Sequence, residues 1–314
     1  MQALDAILSG TIATDPWPAR RQRTDELASR YPHAADILRL YRALIDPMAD
    51  AFHSLPSPLV APSIPSPLVA PSIPSPLVGE GQGGGLSELP AFAVTHVLPG
   101  IIDATVESGP PVLRDGVIAL FASADLEDLM RRWLIPSPLV GEGQGGGSSL
   151  TPVETYLARV TCGPLLEASI QSGSPYAKLS PSPLAGEGQG GGSHCPNCGG
   201  LPQLSYHALS GEPLVSGPRY LLCSRCSQSW ILSRMTCASC GESDGTRLPI
   251  YQESERLPHA RVDGCQSCRR YLLTFDLRRD SRAVPIVDEL ACLPLDLYAR
   301  DQGLTKIAPN LMGN

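Results

Sequence analysis

Apolar side chains recur at three- and four-residue intervals through Ile37, Leu38, Leu40, Tyr41, Leu44 and Ile45, and so draw a single stripe along one helix face. The spacing predicts helices over Arg20–Arg30 and Ala34–Phe52, with Pro47 kinking or dividing the second. Val117, Ile118, Leu120, Phe121, Leu126 and Leu129 repeat the pattern and predict a helix over Val112–Trp133. A third segment, Pro152–Gln171, carries its own start signal: Thr151 as N-cap, Pro152 at the first helical position and Glu154 at N3. Gly163-Pro164 interrupts it. Past residue 194 the period changes. Short β-type runs, Arg219–Leu222, Trp230–Ser233, Leu248–Gln252 and Tyr271–Phe275, precede a closing helix over Val287–Asp301. The fold class expected is α+β, a helical bundle followed by a small cysteine-rich β region.

Between the helical segments lie repeats that belong to neither pattern. The dodecamer Pro-Ser-Pro-Leu-Val-Gly-Glu-Gly-Gln-Gly-Gly-Gly occurs at 74–85 and 136–147, and with one Val-to-Ala change at 181–192. Two tandem nonapeptides, 56–64 and 65–73, precede the first copy. These units hold 12 of the 32 prolines and 15 of the 30 glycines, so the rest of the chain has an ordinary content of both. Each unit is too poor in apolar surface to stack, and the copies are unevenly spaced, which excludes a solenoid. They read as solvated insertions at loops, since loop closure costs little extra as length grows.

Of 314 residues, 42% are apolar and 18% charged, enough for one or two ordinary domains. The net charge of −7 argues against binding nucleic acid or an anionic membrane through bulk charge. Residues 194–314, with 13 basic and 12 acidic side chains, have no strong basic bias either. No uninterrupted apolar run of membrane length occurs, and Met1–Arg21 lacks the basic and apolar regions of a secretory signal, so a cytoplasmic location is expected.

In such a reducing compartment ten cysteines are poor disulfide material, and eight of them fall in four Cys-x-x-Cys pairs: Cys195/Cys198, Cys223/Cys226, Cys237/Cys240 and Cys265/Cys268. Two intervening residues let the chain turn so that both thiolates face one cation while backbone N–H groups point at sulfur. The intervals of 24, 10 and 24 residues between pairs suggest a knuckle–hairpin–knuckle unit used twice. Cys195, Cys198, Cys223 and Cys226 would then hold one ion, and Cys237, Cys240, Cys265 and Cys268 another. The competing arrangement gathers Cys223, Cys226, Cys237 and Cys240 around one ion. Four thiolates suit iron or zinc equally. Gly199 and Gly241 give their turns backbone freedom, whereas Ser227 and Arg269 in the equivalent places predict less regular turns.

Cys162 and Cys292 stand outside the array in helical context and read as small buried apolar residues. His194 reads as an exposed loop residue, because a structural site closes at four ligands. The sequence shows no phosphate loop, dinucleotide fingerprint, zinc-protease motif or nucleophile elbow. No catalytic residue is assigned, and an enzyme is not expected.

The ordered series Cys195-Pro-Asn-Cys-Gly-Gly-Leu-Pro, Gly217-Pro-Arg-Tyr-Leu-Leu-Cys-Ser-Arg-Cys to Trp230, Arg234-Met-Thr-Cys-Ala-Ser-Cys-Gly and Arg261-Val-Asp-Gly-Cys-Gln-Ser-Cys-Arg-Arg-Tyr-Leu resembles the formate dehydrogenase accessory protein FdhE family. The stretch from Asp288 through Tyr298, with Gly303 and Pro309-Asn, resembles that family's ending, and Arg20–Leu44 its first helices. Ile231, where the family commonly has His, and the repeat insertions depart from its pattern.

The repeats and the helical periodicity together divide the chain into a helical domain at 1–180 with insertions at 56–85 and 136–147, and a repeat linker at 181–193. The resemblance implies rubredoxin-like or zinc-ribbon modules after the linker, at 194–235 and 236–280, and a C-terminal helix and tail at 281–314. It also implies an accessory role in maturing respiratory formate dehydrogenase, with that enzyme's catalytic subunit as partner. Nucleic acid and membrane insertion are not expected, and a homo-dimer is left open. Arg219, Arg225, Arg234 and Arg261, taken as exposed, are candidate client contacts. The alternatives are an iron-dependent redox protein and a zinc-ribbon nucleic-acid binder.

Overall fold

The structure, a computed structural model, describes residues 15–55, 88–134, 150–172, 192–208, 217–311 and 313. The insertions expected at 56–85 and 136–147, and the linker at 181–193 apart from its last two residues, lie outside the described residues. Among those described, the helices are α1 (Trp17–Arg30), α2 (Ala35–His53), α3 (Leu89–Ser108), α4 (Pro111–Ser123), α5 (Leu126–Leu134), α6 (Pro152–Gln171), α7 (Pro285–Ala291) and α8 (Leu293–Asp301). The strands are β1 (Pro202–His207), β2 (Arg219–Cys223), β3 (Ser229–Ile231), β4 (Ile250–Tyr251), β5 (Ala260–Gly264), β6 (Arg270–Asp276) and β7 (Thr305–Lys306).

Helix α2 is the expected amphipathic element. Leu38, Leu40, Tyr41, Leu44 and Ile45 are buried, and it packs on α1, α3 and α6. Pro47 lies inside it without ending it. Helix α6 runs through Gly163-Pro164 as well, so the expected interruption does not occur: the helix is buried by neighbours along most of its length, and packing outweighs the one backbone hydrogen bond that Pro164 removes. Its start matches the sequence signal, with Glu154 N–H donating to Thr151 Oγ1 and the Thr151 N–H to Glu154 Oε2.

Two predicted helices are each divided. Val112–Trp133 breaks after Ser123, because Asp125 starts a new helix by accepting a hydrogen bond from Asp128 N–H at 2.9 Å. The closing helix breaks at Cys292, where Pro294 occupies the first turn of α8. Helix α3, with Pro90, Pro99 and Gly100 punctuating its sequence, has no counterpart in the pattern reading. It contains a π turn at Ala93–Val97, where the chain widens ahead of Pro99. With a mean hydropathy of 1.4 it is long and apolar enough to cross a membrane by length and composition, although it holds no unbroken apolar run. Here Leu89, Ala93, Val97, Leu98 and Ile101 are buried in the bundle core.

The β region forms one sheet ordered β3-β2-β1-β6-β5-β4, with β7 beside β6. Each half is an antiparallel meander. The halves join where β1 and β6 run parallel, Leu204 beside Leu273 through His207 beside Asp276. One sheet face carries Leu204, Tyr271, Leu273, Phe275 and Val262 into the same hydrophobic cluster as the helices. The β region therefore shares the bundle's core, which relieves the shortage of large aliphatics that its sequence shows.

Polar groups seal this junction. Arg23 on α1 donates through Nε to Asp288 on α7 at 3.0 Å, and His259 Nε2 lies 2.9 Å from the same carboxylate. Lys306 Nζ sits 2.7 Å from Glu289 and 3.1 Å from Asp296, all three buried. Arg159 on α6 donates to the Gln203 side chain, whose amide in turn donates to Glu289. Ion pairs as buried as these are stable only because each charge finds several partners.

Candidate metal centre

The four knuckles share one local geometry. In each, the N–H of the first cysteine donates to the carbonyl five residues on: Cys195 to Gly200 (2.8 Å), Cys223 to Gln228 (2.9 Å), Cys237 to Glu242 (2.8 Å) and Cys265 to Arg270 (2.9 Å). Closing that ring needs a left-handed residue four positions after the first cysteine. Gly199 (φ 67°) and Gly241 (φ 78°) meet the need without strain. Ser227 (φ 56°) and Arg269 (φ 58°) adopt the same conformation against the preference of a Cβ-bearing residue. The irregularity expected of those two turns is absent, and they carry backbone strain instead. Gly200 has a different role, since a Cβ there would come within 2.9 Å of Cys223 Sγ.

The sulfurs gather as the 24-10-24 spacing suggested. Cys195, Cys198, Cys223 and Cys226 form one group and Cys237, Cys240, Cys265 and Cys268 the other, each with all four sulfurs within 4.8 Å of one another. The competing arrangement, with Cys223, Cys226, Cys237 and Cys240 together, is not the one formed. Near contacts are 3.4 Å for Cys198–Cys223 and Cys198–Cys226, 3.6 Å for Cys195–Cys226, 3.7 Å for Cys237–Cys268 and 3.8 Å for Cys240–Cys265. A cation about 2.3 Å from each of four tetrahedral sulfurs would set them roughly 3.8 Å apart, so the donor sets fit zinc or a single iron in size and chemistry.

Electrostatics favours a cation at each group. In the first, Cys195 is pushed toward the thiolate by hydrogen bonds from Cys198, Cys223 and Cys226, while hydrogen bonds to Cys195 and Cys198 drive Cys226 the opposite way. Four sulfurs this close cannot all ionise without a positive centre among them. Backbone amides supply part of the field: Arg225 N–H points at Cys223 Sγ and Ser239 N–H at Cys237 Sγ, both at 3.4 Å.

The two groups differ in support. Around the first, the Arg225 guanidinium donates to the carbonyls of Cys198 (3.3 Å), Trp133 and Leu134 (2.8 Å), and lies over the Trp133 ring, so α5 is tied to the knuckles. Around the second, Ser267 Oγ donates to Glu242 at 2.5 Å and joins two knuckle loops at the surface. That bond, with the Asp244 and Ser243 amides, holds the Glu242 carboxyl below its ordinary range.

The remaining sequence candidates fall in place individually. Cys162 and Cys292 are fully buried, with their thiols pushed up by burial, as expected of apolar residues. His194 is exposed beside Ser193. Two of the four candidate contact arginines are not surface groups: Arg219 is buried in the sheet, donating to Ser205 Oγ and the Thr236 carbonyl, and Arg225 turns inward as described. Their guanidinium groups have carbonyls and hydroxyls to satisfy that the linear sequence does not show. Arg234 is exposed and Arg261 half-buried.

Comparison with known proteins agrees with this architecture. Residues 235–312 match the family described as FdhE, C-terminal domain. An FdhE homolog of Aquifex aeolicus is 35% identical over 121 residues, 38% of this chain and 42% of that protein. One from Pseudomonas aeruginosa is 34% identical over 152 residues, 48% of each chain. The matched segments thus span less than half the length of these curated relatives. The fold of the crystal structure of the FdhE protein from Pseudomonas aeruginosa is shared over 96% of both chains, with a TM-score of 0.59 at 20% identity. With two sulfur quartets on one sheet, residues 235–312 matching the FdhE C-terminal domain and a fold shared with a solved FdhE protein, the chain is similar to the FdhE proteins.

Proposed function

We propose that this protein is a cytoplasmic accessory factor, not an enzyme, that binds the catalytic subunit of a respiratory formate dehydrogenase and supports its maturation. The observation that carries the reading is the construction of the β region: two four-cysteine groups order opposite ends of one sheet, and the helical bundle backs that sheet along its apolar face. Metal ions in such sites supply folding energy and fix the knuckle loops as a rigid surface. Similarity to the FdhE proteins supports the choice of client.

Exposure of Cys240 favours a second reading for the outer group alone, in which a bound iron exchanges an electron with a partner. Co-purification of the full chain with the formate dehydrogenase catalytic subunit, together with formate oxidation in a strain lacking this chain, tests the primary reading. A stable complex and lost oxidation are expected. Unchanged oxidation with no complex overturns it. Elemental analysis of anaerobically purified protein is expected to return about two ions of iron or zinc per chain.

A further inference from the structure

The sheet face opposite Leu204 and Leu273 carries buried Leu221 and Leu272, and between them a polar patch whose centre is a closed circuit. Arg219 Nε–H donates to Ser205 Oγ (3.1 Å), Ser205 to Thr274 Oγ1 (2.6 Å) and Thr274 to Asp263 Oδ2 (2.7 Å), while Arg219 Nη2 lies 3.5 Å from that same carboxylate. Over this floor opens a cavity of about 60 Å³, bounded on one side by the Arg234–Ala238 approach to the second sulfur group. Its lining holds Arg219, Arg234 and Arg261 against one carboxylate, Asp263, together with Arg270, which has a partner of its own, and Cys237 of the second sulfur group. Asp263 is already engaged by Arg219, by Thr274 and by Arg261 Nε–H at 2.8 Å, and Arg234 meets a neutral carbonyl, that of Gly217. The site therefore has more positive charge than its own carboxylate balances, in a chain whose net charge is −7.

Two further features point the same way. Behind Arg261, His207 is buried, with its Nδ1 finding no partner among the described residues. Burial, Arg261 and Arg234 together lower its pKa to about 4. At the mouth, Met235 and Ile250 line the same cavity and are 59% and 57% exposed. An arginine floor with an apolar rim matches a carboxylate whose neighbours are apolar.

We propose that this cavity is a docking site for an acidic side chain flanked by apolar residues on a partner polypeptide, the carboxylate entering between Arg234 and Arg261 and the flanking residues covering Met235 and Ile250. The proposal deepens the client-binding reading and names the chemistry that a client would present.

The test uses the full chain and two fluorescein-labelled peptides, one with a Leu-Glu-Leu core and one with Leu-Gln-Leu, in fluorescence anisotropy. The Glu peptide is expected to bind about tenfold more tightly than the Gln peptide, and more weakly as salt rises. Arg261→Gln should reduce the preference to about twofold or less, and Met235→Asp, at an exposed position, should weaken the Glu peptide similarly by repulsion. Equal affinity for the two peptides, or no binding of either, overturns the proposal. Displacement of the Glu peptide by free acetate or phosphate at matching concentration also overturns it, because a small anion would then be the ligand. A catalytic-subunit complex that survives Arg261→Gln and Met235→Asp unchanged removes this cavity from the interface and leaves the accessory reading standing, whereas peptide selectivity with no such complex does the reverse.

Discussion

Cys195, Cys198, Cys223 and Cys226 are all buried, whereas in the second group Cys240 is exposed and Cys268 half-exposed. The knuckle geometry is the same, so the difference comes from what surrounds it. The first group is pressed against α5 through Arg225 and Trp133, and the second is bridged at the surface through Glu242 and Ser267 and tied through Arg269 to the segment after α8. One local motif thus serves two purposes: the inner quartet locks the sheet to the helical bundle, and the outer one orders a surface. Burial also governs exchange, because a ligand set open to water gives up its ion more readily than one covered by packed side chains.

The largest expected contrast is between Cys223→Ser and Cys240→Ser. Loss of the inner ion should cost about 4 kcal/mol or more and weaken the bundle with it. Loss of the outer ion should leave the helical melting transition near its wild-type temperature. Metal content per chain and far-ultraviolet circular dichroism on heating distinguish the two, and equal destabilisation would break the comparison. In the unmodified protein a chelator should remove the outer ion about tenfold faster than the inner one, which a two-phase release curve would show.

His207 probes the seam between the halves. Its folded pKa of about 4 lies below the ordinary 6.5, so the unfolded chain binds the extra proton first as pH falls. Stability contributed by the neutral imidazole is complete above pH about 6.5 and is lost progressively toward pH about 4, by up to about 3 kcal/mol. Denaturant unfolding across that range should show the slope in the wild type and a shallower one in His207→Gln.

Arg225→Ala should cost about 2 kcal/mol, since three carbonyls and an aromatic face lose one cation. Arg225→Lys should recover only part of it, because an ammonium cannot reproduce the planar fork. The smallest effect is a gain: Ser227→Gly should stabilise by up to about 1 kcal/mol through relief of the left-handed strain. Arg269→Gly should gain less, because Arg269 Nη2 also donates to the Gln302 carbonyl at 2.9 Å.

The parts of the structure legible in the sequence are those fixed by neighbours along the chain. The amphipathic stripe of α2, the capping box at Thr151 and the spacing of eight cysteines each depend on residues a few positions apart, and each appears where the pattern places it. What escaped depends on partners distant in sequence. Helix α3 hides behind Pro90, Pro99 and Gly100, which only the surrounding bundle makes tolerable. Strand β1, with Gln203, Ser205 and His207, reads as polar because one side of it faces Arg219 and Thr274 rather than a core. The inward turn of Arg225 depends on a helix end 91 residues away.

The parallel pairing of β1 with β6 joins residues 69 positions apart, and no short hairpin can bring them together. Each meander can nucleate locally, but this ladder closes only after both have taken shape, so its formation is a late, high-contact-order event. A chain deprived of the inner ion would leave strand edges unzipped in the middle of the sheet, open to proteases and to pairing with other chains. The integrity of that one seam thus follows the loading of the inner site.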